Sequence, residues 1–217
     1  MPAPLIHVAL AIIALQGQLE GVDKKSFIIG TSFPDIRYLN VIDRKKTHIK
    51  NVSWDQILQE KNPFKIGYLF HSFVDQLFDD FMIKQNIYEK LPKSQFTPQS
   101  FKLFADKVLY KRMRRQLPGI IDCFDDVISE ELSFEIKRED IIRWHSFLKK
   151  YFSSQYQCDF CALAKEYSML QDSSVDAINS SITDLNDESS LAKKFALKLY
   201  NFASKHIKEQ KKYILST

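Results

Sequence analysis

The sequence predicts an all-α protein, a multi-helix bundle, and three observations carry that expectation. The 217 residues include 17 Phe against only 5 Gly, which disfavours a glycine-rich, turn-dense sheet fold. Apolar residues recur at steps of three and four, as in Leu191, Phe195, Leu199 and Phe202, with His206 continuing the step on one face. The one run that would pass for a strand, Phe27 to Ile36, is broken by Gly30 and Pro34 and has nothing to pair with. A 45% hydrophobic content and this length suit a single domain with a real core. We read residues 1–217 as one all-α domain, with 1–90 carrying the candidate site and 91–217 forming a helical extension.

Each element has a local reason. Pro2 and Pro4 suit a helix start, because proline's fixed φ and missing N–H are harmless there. The helix from about Leu5 to Leu19 is apolar almost all round until Gln16, as expected of a central helix, and Gly17 and Gly21 loosen its end. Residues 27–36 are expected to form a short helical turn followed by a loop, and the basic stretch 40–51 a surface loop. Trp54 to about Glu60 reads as a short helix closed by Asn62-Pro63. Phe64 to about Tyr88 is a long helix, followed by a polar connection holding Pro92 and Pro98. Thr97 is placed to cap a helix running to Leu117, stopped by Pro118-Gly119. Further helices are expected over about 120–131, 139–153, 158–170 and 188–212. The Ser-, Asp- and Asn-rich segment Gln171–Asp187 reads as linker.

A net charge of +4 fits anionic substrates without demanding nucleic acid, and no specific nucleic-acid binding is expected. Three cysteines, an odd count, argue against a disulfide framework and for a reducing compartment. Cys158-x-x-Cys161 lacks the second pair that a structural zinc site needs. The apolar start lacks a basic n-region, since no Lys or Arg precedes Lys24, and it is too short for a membrane span of ~20 residues. The expectation is a soluble, cytoplasmic protein. The basic run Lys107, Lys111, Arg112, Arg114 and Arg115 reads as a solvated face rather than a phosphate or lipid contact.

The long helix carries a polar stripe inside an apolar shell. Tyr68, Leu69, Phe70, Phe73, Val74, Leu77, Phe78, Phe81 and Met82 surround its axis, yet His71, Asp75 and Asp79 follow at i, i+4 and i+8. Either this face is exposed, or something compensates the carboxylates: a salt bridge, a hydrogen-bond network or a metal ion. A His and an Asp one turn apart converge on a point beside the helix, which is the geometry of a shared cation. His7 also lies in an apolar helix, His48 in a basic loop, and Asp35 behind Pro34. His145 and His206 ride helices with apolar faces and read as core-edge residues.

The order His7, Gly30-x-x-x-Pro34-Asp35, Thr47-His48, Gly67-x-x-x-His71-x-x-x-Asp75 resembles the zinc-dependent phospholipase C family and the single-strand nucleases of its superfamily, over residues of about 1–82. The resemblance implies an all-α metal-dependent phosphoester hydrolase with a mono- or dinuclear site. Zn²⁺ is the expected ion, with Mn²⁺ or Fe²⁺ as substitutes, and the substrate is a phosphoester on a lipid, nucleotide or protein. By position, Asp35, His48 and His71 would ligate one metal, and Asp75 would bridge to a second held also by His7. Asp35 would in addition orient or deprotonate the attacking water. The ligands of the family's third zinc are absent: the exposed N-terminal Trp is missing, Phe81 and Met82 stand where a His would follow Asp75, and His145 is followed one turn on by Lys149 rather than an acid. Asp79 or Asp80 is a candidate replacement. The stripe also resembles the acyl-carrier-protein phosphodiesterases, but Ser72 stands where they carry arginine. A third reading is a non-catalytic helical metal-binding interaction protein. His-Asp dyad phosphohydrolases are excluded, because none of the 5 histidines precedes an Asp.

Overall fold

The computed structural model describes residues 2–153, 160–169, 172–187 and 189–212, all helix, turn or loop, with no strand among them. The α-helices are α1 (Pro4–Leu15), α2 (Lys24–Ser32), α3 (Arg44–Thr47), α4 (Trp54–Gln59), α5 (Pro63–Lys84) and α6 (Thr97–Met113). They continue with α7 (Leu117–Ile121), α8 (Ser129–Leu132), α9 (Arg138–Phe152), α10 (Phe160–Glu166), α11 (Asp172–Asp187) and α12 (Ser189–Lys208). Short 3-10 helices lie at Phe33–Leu39, Tyr88–Lys90 and Asp122–Phe124. One apolar core draws on both halves of the chain, from Leu5 through Phe70 and Trp144 to Ile207. No helix of the described residues is long and apolar enough to cross a membrane.

α1 is buried on nearly every side, as its sequence requires. Its N-cap, Ala3, has no side chain to satisfy the first amides. Asp106 of α6 does so from a distance, accepting from Leu5 N at 2.7 Å and Ile6 N at 3.0 Å, while Tyr151 of α9 donates to it at 2.8 Å. A carboxylate at a helix N-terminus also meets the positive end of the helix dipole. This fixes the start of α1, and with it His7.

α2 and α5 touch backbone to backbone. A Cβ on Gly30 would lie 2.0 Å from the Phe64 carbonyl oxygen, and one on Gly67 would lie 2.2 Å from the Phe27 oxygen. Only glycine permits that approach. The two glycines of the sequence pattern are therefore packing residues, and their work is to bring α2 against the polar stripe of α5.

Several sequence expectations need correction. Residues 24–32 form a helix, capped by the Asp23 side chain on Ser26 N at 2.9 Å, and a 3-10 helix rather than a loop follows. The basic stretch 40–51 contains α3 and the buried Thr47, so it is not wholly surface loop. Thr97 is the first residue of α6 and makes no cap to it; its hydroxyl donates instead to Pro92 O at 2.6 Å. Pro118 and Gly119 lie within α7, where proline at the second position is tolerated, rather than ending the preceding helix. The expected 120–131 helix is split among α7, a 3-10 turn and α8. The segment expected to be linker is α11, whose Val175, Ile178 and Leu185 are buried. Cys158 and the Cys161 side chain lie outside the described residues, and Cys123 is a buried free thiol.

Candidate metal centre

Four separate segments converge on one point. His7 comes from α1, Asp35 from the 3-10 helix after α2, His48 from the residue after α3, and His71 and Asp75 from adjacent turns of α5. One ligand atom each from His7, His71 and Asp75 lies within 4.8 Å of the other two, and the same holds for Asp35, His48 and His71. All five residues named from the sequence are thus brought together. Asp79, the sixth, belongs to neither triad and is exposed; Asp80 is exposed too and pairs with Lys84 at 3.8 Å.

Each histidine is aimed by something outside the cluster. The carbonyl of Thr31, carried against α5 by the glycine contact, lies 2.8 Å from His71 Nδ1 and accepts a hydrogen bond from its N–H. That leaves a lone pair on His71 Nε2, facing the cluster. Thr47 Oγ1 lies 3.3 Å from the Arg44 carbonyl, to which it donates, and 2.9 Å from His48 Nδ1, from which it then accepts. So His48 also presents a bare Nε2 inward. Such outer hydrogen bonds fix the tautomer of metal-ligating histidines.

The segment carrying His48 is fastened along a second stripe of α5. Tyr68 Oη donates to Lys46 O at 2.9 Å, Ser72 Oγ accepts from Ile49 N at 3.2 Å, and Gln76 makes two 2.9 Å bonds with the Val52 backbone. These three residues are spaced i, i+4, i+8, beside the His71–Asp75 row. The sequence signal for this role was the polar periodicity itself. Its partners are backbone atoms, which no residue letter reveals.

Inside the cluster the groups approach without closing on each other. His48 Nε2 and His71 Nε2 are 3.2 Å apart, and with both Nδ1 atoms acting as donors each offers a lone pair to the other. Two acceptors at that distance repel unless a proton or cation sits between them. Asp75 Oδ2 lies 3.7 Å from both His48 Nε2 and His71 Nε2, while its Oδ1 lies 3.4 Å from His7 Nε2. Asp35 Oδ1 lies 3.7 Å from His48 Nε2. Both Asp75 oxygens, Asp35 Oδ1 and both His7 nitrogens are buried without a hydrogen bond. The His7 and His71 rings stack at 4.0 Å.

Charge states follow from these surroundings. Burial, helped by His71, lowers His7 to about 4 against the pull of Asp75. Burial and the same neighbour lower His48 to about 3. For Asp75 burial acts upward, but the imidazoles of His71 and His7 outweigh it and hold the carboxyl well below the usual range. The neutral imidazoles of His7 and His48 beside an ionised Asp75 form a mixed nitrogen and oxygen donor set, which suits a divalent transition metal. The unsatisfied buried atoms point the same way, so the residues fit such an ion.

The arrangement differs from the expected division of ligands in one respect. His71, rather than Asp75 alone, is common to both triads, while Asp75 turns one oxygen toward each. A mostly apolar cavity of about 40 Å³ opens beside Asp35, lined also by Ala3, Tyr38, Lys102 and Phe147. Burial lowers the Lys102 ammonium there. His206 packs its ring on Phe73 and Phe202, at the core edge as expected. No family model, curated protein or solved structure matches the chain.

Proposed function

We propose that the chain is a metal-dependent hydrolase of phosphoesters, holding one or two divalent ions, zinc first among them. The observation that carries this reading is the set of buried, unpartnered donor atoms from four segments, aimed at a common point by hydrogen bonds made outside it. The phosphoester part rests on the order of the motifs along the chain. One ion would be held by Asp35, His48 and His71, and a second by His7 with Asp75, because the one free lone pair of His71 serves a single ion. A divalent ion at such a site supplies Lewis acidity and makes water a nucleophile near neutral pH.

The chain's own groups do the rest. Asp35 lies at the edge of the cluster, with one carboxylate face on the adjoining cavity, where it is placed to take a proton from water. Thr31 and Thr47 keep the two Nε2 lone pairs turned inward. The apolar walls around Asp35 exclude solvent from that side.

The test is metal content together with turnover. Protein incubated with zinc or manganese and then dialysed should retain one or two ions per chain. It should hydrolyse a generic phosphodiester slowly, lose that activity to a chelator and regain it on adding metal. Retention of metal with no turnover across lipid, nucleotide and chromogenic phosphoesters would favour the metal-binding interaction protein instead. No retained metal would remove both readings.

A further inference from the structure

Away from the metal centre, the surface charge of the molecule is unevenly spread. α6 ends in Lys107, Lys111 and Arg112, and Arg114 and Arg115 follow in the turn after it; all five are exposed. On α12, Lys194, Lys198, Lys205 and Lys208 fall at i, i+4, i+11 and i+14, also exposed. That spacing sets them in one row, on the side opposite the buried Leu199, Ala203 and Ile207. Lys193 stands beside the row. The two helices pack against each other. A cleft of about 570 Å³ opens between Gln116, next to the α6 run, and Lys205 and Lys208 of the α12 row.

Exposed lysines elsewhere come with an acid: Lys84 with Asp80, Lys93 with Glu89, Lys149 with Asp125 and Lys211 with Asp55. On this face Lys205 pairs with Glu209, and the other cations just named make no ion pair among the described residues. The sequence supplies no acid to pair with them locally. The 20 residues of α12 contain none, and the single acid of α6, Asp106, is buried against the start of α1. The whole chain carries only +4, so the rest of the molecule is net negative. A field of one sign repels itself and draws an oppositely charged partner.

Apolar groups within the face select the partner. The cleft is floored by Ile12 and Ile13 of α1, with the partly exposed Tyr200 beside them. Leu191 is exposed one turn before Lys194 and continues the α12 row. A bilayer offers both an anionic surface and an apolar layer beneath it, and lysines around exposed apolar and aromatic side chains match that pairing. A polynucleotide backbone offers the charge alone, and its phosphates are met best by arginine forks, which are the minority here.

We propose that the end of α6 and the outer row of α12 form a docking face for an anionic phospholipid surface. The attachment is peripheral and reversible, since no helix of the described residues is long and apolar enough to cross a membrane. None of these residues belongs to the His–Asp cluster, so the proposal stands or falls apart from the metal reading.

The experiment is co-sedimentation of the full chain with vesicles of phosphatidylcholine alone and with about one third phosphatidylserine. The protein should bind the anionic vesicles and not the neutral ones. Raising salt from about 0.1 M to about 0.5 M should weaken binding roughly tenfold or more. Lys194→Gln with Lys198→Gln should also weaken it roughly tenfold or more, since each cation near an anionic leaflet is worth about fivefold. The control pair Lys84→Gln with Lys93→Gln, which removes lysines already matched by acids, should change nothing. Leu191→Ser, at an exposed position that the fold does not need, should weaken vesicle binding at both salt concentrations. Failure to bind the anionic vesicles at the lower salt overturns the proposal, as do equal binding to neutral vesicles and equal losses in the two lysine pairs. A single-stranded oligonucleotide bound more tightly than the anionic vesicles at equal salt would assign the face to a polynucleotide and overturn it too.

Discussion

Two buried histidine–carboxylate clusters come from different halves of the chain, and they are built on opposite principles. In the second half, His145 Nε2 meets Glu131 Oε1 at 2.8 Å, and the other Glu131 oxygen accepts from Ile128 N at 3.1 Å. Both carboxylate oxygens are used, and the pair closes on itself. In the first half, five groups stand 3.2–3.7 Å apart and leave both Asp75 oxygens without a hydrogen bond. A buried polar group without a partner costs free energy, so a fold tolerates several at one point only if something else completes them. The difference separates a structural pair from a binding site without reference to any relative.

The comparison breaks if the two clusters respond alike to losing a histidine. His145→Ala should cost the most stability of any single change discussed here, ~3–5 kcal/mol, because it leaves the fully buried Glu131 carboxylate unpaired. Its metal content should be unchanged. His71→Ala should cost less in metal-free protein, ~1–3 kcal/mol, since it orphans the Thr31 carbonyl but also relieves the facing lone pairs. It should abolish metal uptake. Denaturant melts with and without chelator on the two variants would reverse the comparison if His145→Ala lost the metal and His71→Ala kept it.

Metal itself should stabilise only the first cluster. At a free-ion concentration about 1,000 times Kd, linkage gives ~4 kcal/mol, visible as a rise in Tm that a chelator removes. The rise should be present in His145→Ala and absent in His71→Ala. A slightly smaller effect tests how the site is positioned. Gly67→Ala should cost ~3 kcal/mol, because its Cβ would meet backbone atoms of α2 that cannot rotate away. It should also weaken metal binding, since the same contact carries Thr31 to His71. A Gly67→Ala protein with wild-type stability and metal affinity would show that the helix contact is not needed.

The sequence made the first cluster legible and the second nearly invisible, for physical reasons. A carboxylate and a histidine one turn apart in an otherwise apolar helix violate the burial pattern, and the violation is local. Glu131 and His145 lie 14 residues apart on different helices, and each alone reads as ordinary. Fold class followed from composition and periodicity. The errors fell where local letters mislead: α11 is rich in Ser, Asp and Asn, yet Val175, Ile178 and Leu185 keep a helical face. Arg44 was read only as part of the basic loop 40–51, and Arg37 was not singled out, because nothing in the sequence says that they face Asp75 and Asp35.

A buried carboxylate outside both clusters, Asp106, sharpens the contrast through pH. Burial pushes it up to about 7, against the pull of Leu5 N, Tyr151 Oη and Ile6 N. A folded-state value above the unfolded one of ~3.9 means that native protein binds more protons between the two. Its contribution to stability is therefore full below about pH 4 and falls as pH rises through about 7, by at most ~1.4 kcal/mol per unit. The lowered values of His7 and His48 act in the opposite sense over an overlapping range, so the test is the difference between wild type and Asp106→Asn in chelator. That difference should shrink as pH rises from 5 to ~7 and flatten above it. A difference that stays flat from pH 5 to ~7 would mean that the three donors hold Asp106 ionised throughout.

The smallest effect expected is at Asp79, and it tests where the cluster ends. Asp79 continues the i, i+4 row from His71 and Asp75, so the sequence offers it as a candidate replacement ligand. In the structure it is exposed and stands outside both triads. The helix carries it one turn beyond Asp75, out of the buried cluster. Asp79→Asn should therefore leave metal content at the wild-type value and change stability by no more than ~0.5 kcal/mol, as for other surface substitutions. Asp75→Asn, four residues earlier and buried, should keep the shape while removing the charge that faces both triads, with the larger loss of occupancy at the ion beside His7. Elemental analysis of the two variants in parallel reads the boundary directly. Equal metal loss from both would mean that the ion lies further along α5 than the convergence of the four segments places it.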